Sequence, residues 1–193
     1  MKYCILFLLL LLSHKLLYAQ AMADGYYVTL GGDTVNTKIK VPKDIFANME
    51  METLERKTKA ADTSSQALRK FRATDIKGYG FIYKDEKFLF VAKPLKAHNS
   101  KFFEQLASGR NASCYYYYRT GYKGAKSETI IIENPNGADL VVHGSMSKKK
   151  IRRKLSDFFA GRQDIQQAII AQSISKNHLH QSLQRTIESI NKL

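Results

Sequence analysis

The sequence predicts an α+β protein in which an antiparallel β-sheet, curled or folded into a small sandwich, is followed by two or three C-terminal α-helices. Two observations lead to this prediction. Short runs rich in aromatic and β-branched residues alternate with turn residues as far as residue 142. Beyond residue 145, apolar residues recur at the three- and four-residue spacing of helices. Strands first and helices last is a pattern that favours the α+β class.

The chain opens with the features of a secretory signal peptide. Lys2 precedes an unbroken apolar run at residues 5–12. The run is short for a membrane-spanning helix, and Lys15 interrupts its extension. Small residues that suit a cleavage site follow at Ala19, Ala21 and Ala23.

These features predict the domain organisation. We expect residues 1–21 to be removed and residues 24–193 to form one domain, with a β-rich part at 24–143 and a helical part at 146–193. The mature protein is then expected outside the cytoplasm, in the periplasm or at the cell surface, with no transmembrane span.

The strands are predicted in order along the β-rich part. Residues 26–30 and 34–41 flank a glycine-rich turn and predict a first hairpin. Residues 42–62 are compatible with either strand or helix, and residues 67–74 indicate a strand. Three further strand pairs are predicted: 79–83 with 88–92 around a four-residue loop, 101–107 with 113–118, and 129–133 with 138–142 around Asn134-Pro135-Asn136-Gly137.

Three helices are predicted after the strands. Ser147 is suited to cap the first helix and Gly161 to end it. Its apolar residues share one face: Ile151, Leu155, Phe158 and Phe159. A second helix is predicted over 163–173, and a third from residue 176 to the end of the chain.

The start of the first of these helices carries the strongest charge feature of a chain whose net charge is +14. Six of seven consecutive positions are cationic: Lys148, Lys149, Lys150, Arg152, Arg153 and Lys154. Such a helix suits lipopolysaccharide or anionic lipid, and the alternative is a solvated helix face. Cations at a helix N-terminus oppose its dipole, which favours the functional interpretation. Nucleic acid is disfavoured because the protein is exported and no recognition fold is evident.

A run of tyrosines in the predicted strand at 113–118 offers a second candidate surface. Alternation along a strand places Tyr115 and Tyr117 on one face of the sheet. Tyr116 and Tyr118 then lie on the other face, and together with Tyr122 they are candidates for stacking on sugar rings or for contact with a protein partner. The alternative is that the C-terminal helices cover this face.

No catalytic, metal-binding or cofactor-binding set is predicted. Cys114, His143 and Asp139 could form a thiol hydrolase site, but Cys114 lies in a strand-like run and is expected to be buried and inert. His178 and His180 are two residues apart on a predicted helix, so their rings point in different directions and cannot share a metal ion.

Two segments resemble a known group of proteins. The run GYYVTLGGDTV at residues 25–35 and the run TDIKGYGF at residues 74–81 resemble exported β-rich proteins of Bacteroidota. That group has a signal peptide, such a hairpin, a DIKG segment and a helical C-terminal tail. The resemblance implies an exported β-rich protein and implies no activity. Within the second run, Asp75 is expected to stabilise a strand-entry turn and Gly78 to take an unusual dihedral angle there. A ligand-contacting turn is the alternative.

These observations favour an exported, envelope-associated binding or accessory module without enzymatic activity. It would contact a protein partner or an anionic surface component. The alternative is a hydrolase acting on envelope polymer or peptide through polar residues such as Asp75, His143 and Cys114.

Overall fold

The computed structural model describes residues 21–43, 49–62, 67–96, 99–120 and 126–193. Residues 1–20 of the predicted signal peptide lie outside the described residues. Tyr122 also lies outside them. The predicted α+β class is confirmed, because the described chain forms a large antiparallel sheet followed by helices.

Ten strands of the described residues form a single sheet in the order β10-β9-β8-β7-β6-β5-β1-β2-β3-β4. Every neighbouring pair is antiparallel. The sheet is open, with β4 and β10 at its edges. The strands are β1 Met22–Thr29, β2 Thr34–Lys40, β3 Lys57–Ala61, β4 Leu68–Arg72, β5 Ile76–Tyr83, β6 Glu86–Lys96, β7 Asn99–Ser108, β8 Ser113–Thr120, β9 Lys126–Glu133 and β10 Asp139–His143.

Four helices accompany the sheet in the described part of the chain. They are α1 Met51–Arg56, α2 Lys148–Phe158, α3 Gln163–Ala171 and α4 Leu179–Ile190. The ambiguous stretch at 42–62 thus holds a short helix followed by a strand. The last helix begins at Leu179, three residues later than its apolar pattern predicts.

The sheet must curl strongly between β5 and β4. These strands are four positions apart, which is about 19 Å in a flat sheet. The chain between Arg72 and Ile76 can span only about 14 Å when fully extended. It is shorter still here, because the Asp75 amide donates to the Arg72 carbonyl and closes a turn (3.0 Å). The curl also brings Tyr27 of β1 against Phe71 of β4, with ring centroids 4.7 Å apart.

Two hydrophobic cores lie on the same, inner face of the sheet. The first core fills the curl of β1–β7 and includes Leu54 of α1 and the stacked rings of Tyr79 and Phe90. The second core lies between β8–β10 and helices α2–α4. One row of cross-strand partners passes from the first core to the second: Phe90, Glu104, Tyr116, Ile130 and Val142. We call the boundary at Glu104, where α1 packs on β7 and β8, the seam.

Two details of β5 differ from the sequence prediction. The turn to β6 contains two residues rather than four, since Lys84 and Asp85 both adopt positive φ and the strands extend to meet them. Gly78 was expected to need an unusual dihedral angle. It is needed for space instead, because a Cβ atom there would lie 2.5 Å from the carbonyl oxygen of Phe90.

The end of α4 is tied to the turn between β7 and β8 by Asn191. Its Oδ1 accepts hydrogen bonds from the amides of Asn111 (3.1 Å) and Ala112 (3.0 Å). Its Nδ2 donates to the carbonyl of Ala112 (2.9 Å). One side chain therefore satisfies three backbone groups at a half-buried junction between the helices and the sheet.

Asn191→Ala is expected to lower the free energy of unfolding by about 2–3 kcal/mol, because it leaves these three backbone groups without partners. Urea denaturation measures the change. Lys192→Ala, at the exposed next residue, is the matched control and should change stability by less than about 0.5 kcal/mol. Equal effects of the two substitutions would contradict the role of Asn191.

Candidate functional site

The basic helix α2 presents its cations to solvent. The Ser147 hydroxyl caps the helix by accepting a hydrogen bond from the Lys150 amide (3.3 Å), as predicted. Ile151 and Leu155 are buried in the second core and fix the rotation of the helix. The opposite side is therefore exposed. Five of the six cations are exposed, namely Lys148, Lys149, Lys150, Arg152 and Arg153, and Lys154 is half-buried.

The cations of α2 are not paired in salt bridges within the described part of the chain. None of its six cations forms a salt bridge there, and the salt bridges that occur lie on other elements. Arg152 donates only to a neutral group, the carbonyl of Gln172 (3.1 Å). The first turn of the helix contains no acidic residue. Its cations therefore add to the positive end of the helix dipole.

An open cleft of about 550 Å³ adjoins this helix. It lies where β8, β9 and the chain after β10 face the chain that leads into α4. Its lining combines aromatic, acidic, basic and neutral polar groups: Tyr118, Glu128, His143, Gly144, Ser145, Lys176 and Asn177. Ser145 lies only three residues before the first residue of α2, so the rim of the cleft leads directly into the basic helix.

A hydrogen-bonded group fixes one wall of the cleft. Glu128 Oε1 lies 3.2 Å from His180 Nδ1 and accepts a hydrogen bond from the hydroxyl of Tyr116 (3.4 Å). Burial, together with the charge of Glu128, raises the pKa of Tyr116, so its hydroxyl remains a donor. On the neighbouring strand, His143 Nδ1 lies 3.3 Å from Thr129 Oγ1. Glu128 and His143, which both line the cleft, are thus each held by hydrogen-bonding neighbours.

A buried carboxyl group lies at the seam behind the cleft. Glu55 of α1 is fully buried, and its Oε1 accepts a hydrogen bond from the amide of Tyr118 (2.6 Å). Its Oε2 has no hydrogen-bond partner among the described residues. Burial raises the pKa of Glu55 to about 8, and the nearby Glu104 adds to this rise while Lys101 opposes it. Burial likewise raises the pKa of Glu104 to about 7. Glu55 is therefore largely protonated at neutral pH.

The residues considered for a thiol hydrolase do not form one site. Cys114 is fully buried in the second core, and burial raises the pKa of its thiol to about 12. The predicted burial of Cys114 is confirmed, and the raised pKa disfavours the reactive thiolate. Asp139 and His143 lie at opposite ends of β10. These placements leave no activated nucleophile among the three residues.

Asp75 stabilises the turn that leads into β5. Its carboxylate accepts hydrogen bonds from the Arg72 amide (2.8 Å) and the Thr74 hydroxyl (3.0 Å). These bonds, the one from Arg72 first, lower the pKa of Asp75. The predicted strand-entry turn is confirmed.

The tyrosines of β8 alternate between the two faces of the sheet, as predicted. Tyr115 and Tyr117 lie with Phe103 in a cluster on the outer face. Tyr116 is 8% exposed and packs in the second core beneath the helices. Tyr118 is half-buried and lines the cleft. The predicted partner-contact surface therefore retains Tyr118, while Tyr116 offers little surface.

The two histidines do not lie on one helix as expected, because α4 begins after His178 and contains only His180. His178 is exposed, whereas His180 packs on the ring of Tyr116 with centroids 5.0 Å apart. No group of three or more histidine, cysteine, aspartate or glutamate side chains in the described ranges is arranged to hold a metal ion.

Sequence reasoning missed Glu55, Glu128 and Lys176. Each comes from a different part of the chain, and only tertiary packing brings them to the seam and the cleft. Only Glu55 gave a sequence signal of its position, because it is an acidic residue within a stretch of mixed strand and helix character.

Comparison with protein-family models, with curated proteins and with solved structures finds no significant match to this chain. In the residues that the structure describes, no helix is both long and apolar enough to cross a membrane.

The pKa of Glu55 predicts a pH-dependent stability. Between pH 4.5 and about 8 the unfolded chain ionises this group while the folded chain keeps its proton, so the free energy of unfolding falls as pH rises through this window. Glu55→Gln removes the ionisation. We compare the free energy of unfolding of Glu55→Gln with that of the parent protein at each pH. The difference should be more favourable to the variant at pH 9 than at pH 4 by on the order of 3 kcal/mol.

Urea denaturation at pH values from 4 to 9 tests this expectation. Glu50→Gln, on the exposed residue before α1, serves as the control and should leave the pH profile of the parent protein unchanged. A part of the pH dependence should remain in Glu55→Gln, because Glu104 also titrates in this range. Superimposable profiles for Glu55→Gln and the parent protein would show that Glu55 is not buried as a neutral group.

Proposed function

We propose that this protein is an exported, non-enzymatic binding module of the cell envelope, and that the basic helix α2 attaches it to an anionic surface component. The single observation that carries the proposal is the set of solvent-facing cations on α2 that have no carboxylate partners among the described residues. Export rests on the signal-peptide features of the first 21 residues and on the resemblance to exported proteins of Bacteroidota.

The geometry of α2 supports contact with an extended anionic surface. Ile151 and Leu155 anchor one side of the helix in the second core, so the cations are carried on a rigid element. Because the cations point away from the core, they can approach phosphate or carboxylate groups without unfolding any part of the protein. Lipopolysaccharide and anionic lipid are the surface components outside the cytoplasm that best fit this chemistry.

The alternative of an envelope hydrolase has no supporting observation in the described residues. Its proposed polar residues are dispersed, with Asp75 in a turn, Cys114 in the core and His143 at the rim of the cleft.

A charge-reversed variant of α2 tests the proposal. Lys148→Glu, Lys149→Glu and Arg153→Glu are combined, since all three residues are exposed and none contributes to the core. Each cation near an anionic membrane contributes about 1 kcal/mol, so the variant should bind anionic vesicles and lipopolysaccharide roughly 100-fold more weakly than the parent protein. Binding of the parent protein should also weaken as salt is added.

The matched control reverses three exposed cations elsewhere on the molecule: Lys77, Lys87 and Lys192. It changes the net charge equally and should retain most of the binding. Vesicles of uncharged lipid provide the second control. Equal weakening in the two variants would show that net charge alone drives association. An absence of binding at low salt would exclude the surface role of α2.

A further inference from the structure

A second positively charged surface lies at the edge of the sheet farthest from β10. In β3 and β4, Lys57 pairs with Arg72, and Lys59 pairs with Lys70. Ile39 of β2 pairs with Ala60 of β3 in the antiparallel sense, which places Lys40 beside Lys59. We call this set the lysine ladder: Lys40, Lys57, Lys59, Lys70 and Arg72.

All five cations of the lysine ladder lie on the outer face. Side chains alternate between the faces of a strand. The residues that alternate with the ladder are buried in the first core or beside it: Ile39, Thr58, Ala60 and Phe71. Lys70 and Arg72 are exposed, and the other three are partly exposed.

The arrangement brings like charges together. Side chains directly opposite on neighbouring antiparallel strands have Cβ atoms about 5 Å apart, and like charges at these positions destabilise a sheet. None of the five cations forms a salt bridge with the described residues, although Lys38 nearby is paired with Asp24 (3.2 Å). An anion bound across the rows would offset this repulsion.

The shape and composition of the surface indicate the class of ligand. The curl of the sheet makes its outer face convex at β2–β4, so a flat membrane would touch it only along a line, whereas a flexible chain can follow the curve. The row Lys40–Lys59–Lys70 runs across the strands, around that curve. No aromatic side chain of β2–β4 points outward, so the stacking that proteins use to bind single-stranded nucleic acid is missing from this face.

We propose that the lysine ladder binds a flexible linear polyanion, recognised through charge alone. This site is separate from α2 and does not depend on the function proposed for that helix. Long-chain inorganic polyphosphate is the probe for this chemistry, and orthophosphate is the comparison for a single phosphate group.

The decisive variant is Lys59→Glu, because it places a carboxylate between Lys40 and Lys70. It should weaken the binding of polyphosphate about tenfold and reduce the slope of log K against log salt by about 0.7 for each phosphate that the variant no longer neutralises. It should also raise the melting temperature, since it replaces cross-strand repulsion with attraction. A substitution that merely damages the fold would lower the melting temperature, so the two measurements together separate a binding role from a structural one.

Lys87→Glu is the matched control, because it changes the net charge equally at an exposed position outside the ladder. It should change neither the binding of polyphosphate nor the melting temperature appreciably. Lys70→Glu, on the edge strand, repeats the test should Lys59→Glu fold poorly. The proposal is overturned if Lys59→Glu and Lys87→Glu weaken binding equally, or if Lys59→Glu lowers the melting temperature while Lys70→Glu leaves binding intact.

The two basic surfaces are distinguished in the same assay. The α2 variant should retain binding of polyphosphate, and Lys59→Glu should retain binding of anionic vesicles. Loss of polyphosphate binding in the α2 variant alone would assign the polyanion to α2 and overturn the role of the ladder. Binding of vesicles by the ladder without binding of polyphosphate would overturn the ligand class. Binding of orthophosphate as tight as that of the polymer would also overturn it.

Discussion

The short connection between β4 and β5 is the constraint on which the rest of the architecture depends. Because three residues must join strands that are four positions apart, the sheet curls, and the curled part β1–β7 encloses the first core together with Leu54 of α1. The rest of the sheet stays open and leaves an apolar inner face on β8–β10. The helices α2–α4 cover that face, and covering it fixes the side of α2 that remains in solvent. The exposed position of the basic helix is thus a consequence of the curl.

The same constraint explains the buried acids. The short helix α1 fills the seam between the curled part and the open part of the sheet, and Glu55 of α1 lies buried there. Burial holds this carboxyl group largely neutral, because the charged form would lose its hydration and one of its oxygens has no partner in the described part of the chain. The hydrogen bond from the Tyr118 amide favours the charged form and only partly offsets this effect. Glu104 lies in the continuous row that links the two cores, so the two acids disfavour each other's charge. The seam therefore contains two acids whose pKa values are raised by burial, and neither forms a salt bridge with the described residues.

The features that the sequence could predict are the local ones. The predictions of a turn at residues 134–137 and of a helix cap at Ser147 are correct, because a few adjacent residues determine each feature. The α+β class and the face alternation of the β8 tyrosines followed from periodicity. The curl could not be predicted, since it depends on how strands distant in the chain pair. The burial of Glu55 and the polar wall around Glu128 depend on that pairing, and for this reason sequence reasoning found the basic helix but not the cleft beside it.

At two places on the molecule, cations lie in positions that lower its stability. On α2, cations lie at the positive end of a helix dipole. On the outer face of β2–β4, they lie opposite one another across strands. In both places neighbouring cations arise from positions closer together than the screening length of about 8 Å at physiological ionic strength. Consecutive residues have Cα atoms about 3.8 Å apart, and facing residues of paired strands have Cβ atoms about 5 Å apart. In both places the element that carries them is anchored in a core through its opposite face. Because the backbone of these elements is anchored, an anion at the proposed sites would have to order the long cationic side chains but not the backbone. At both proposed sites, a bound anion would offset the charge repulsion that the free protein carries.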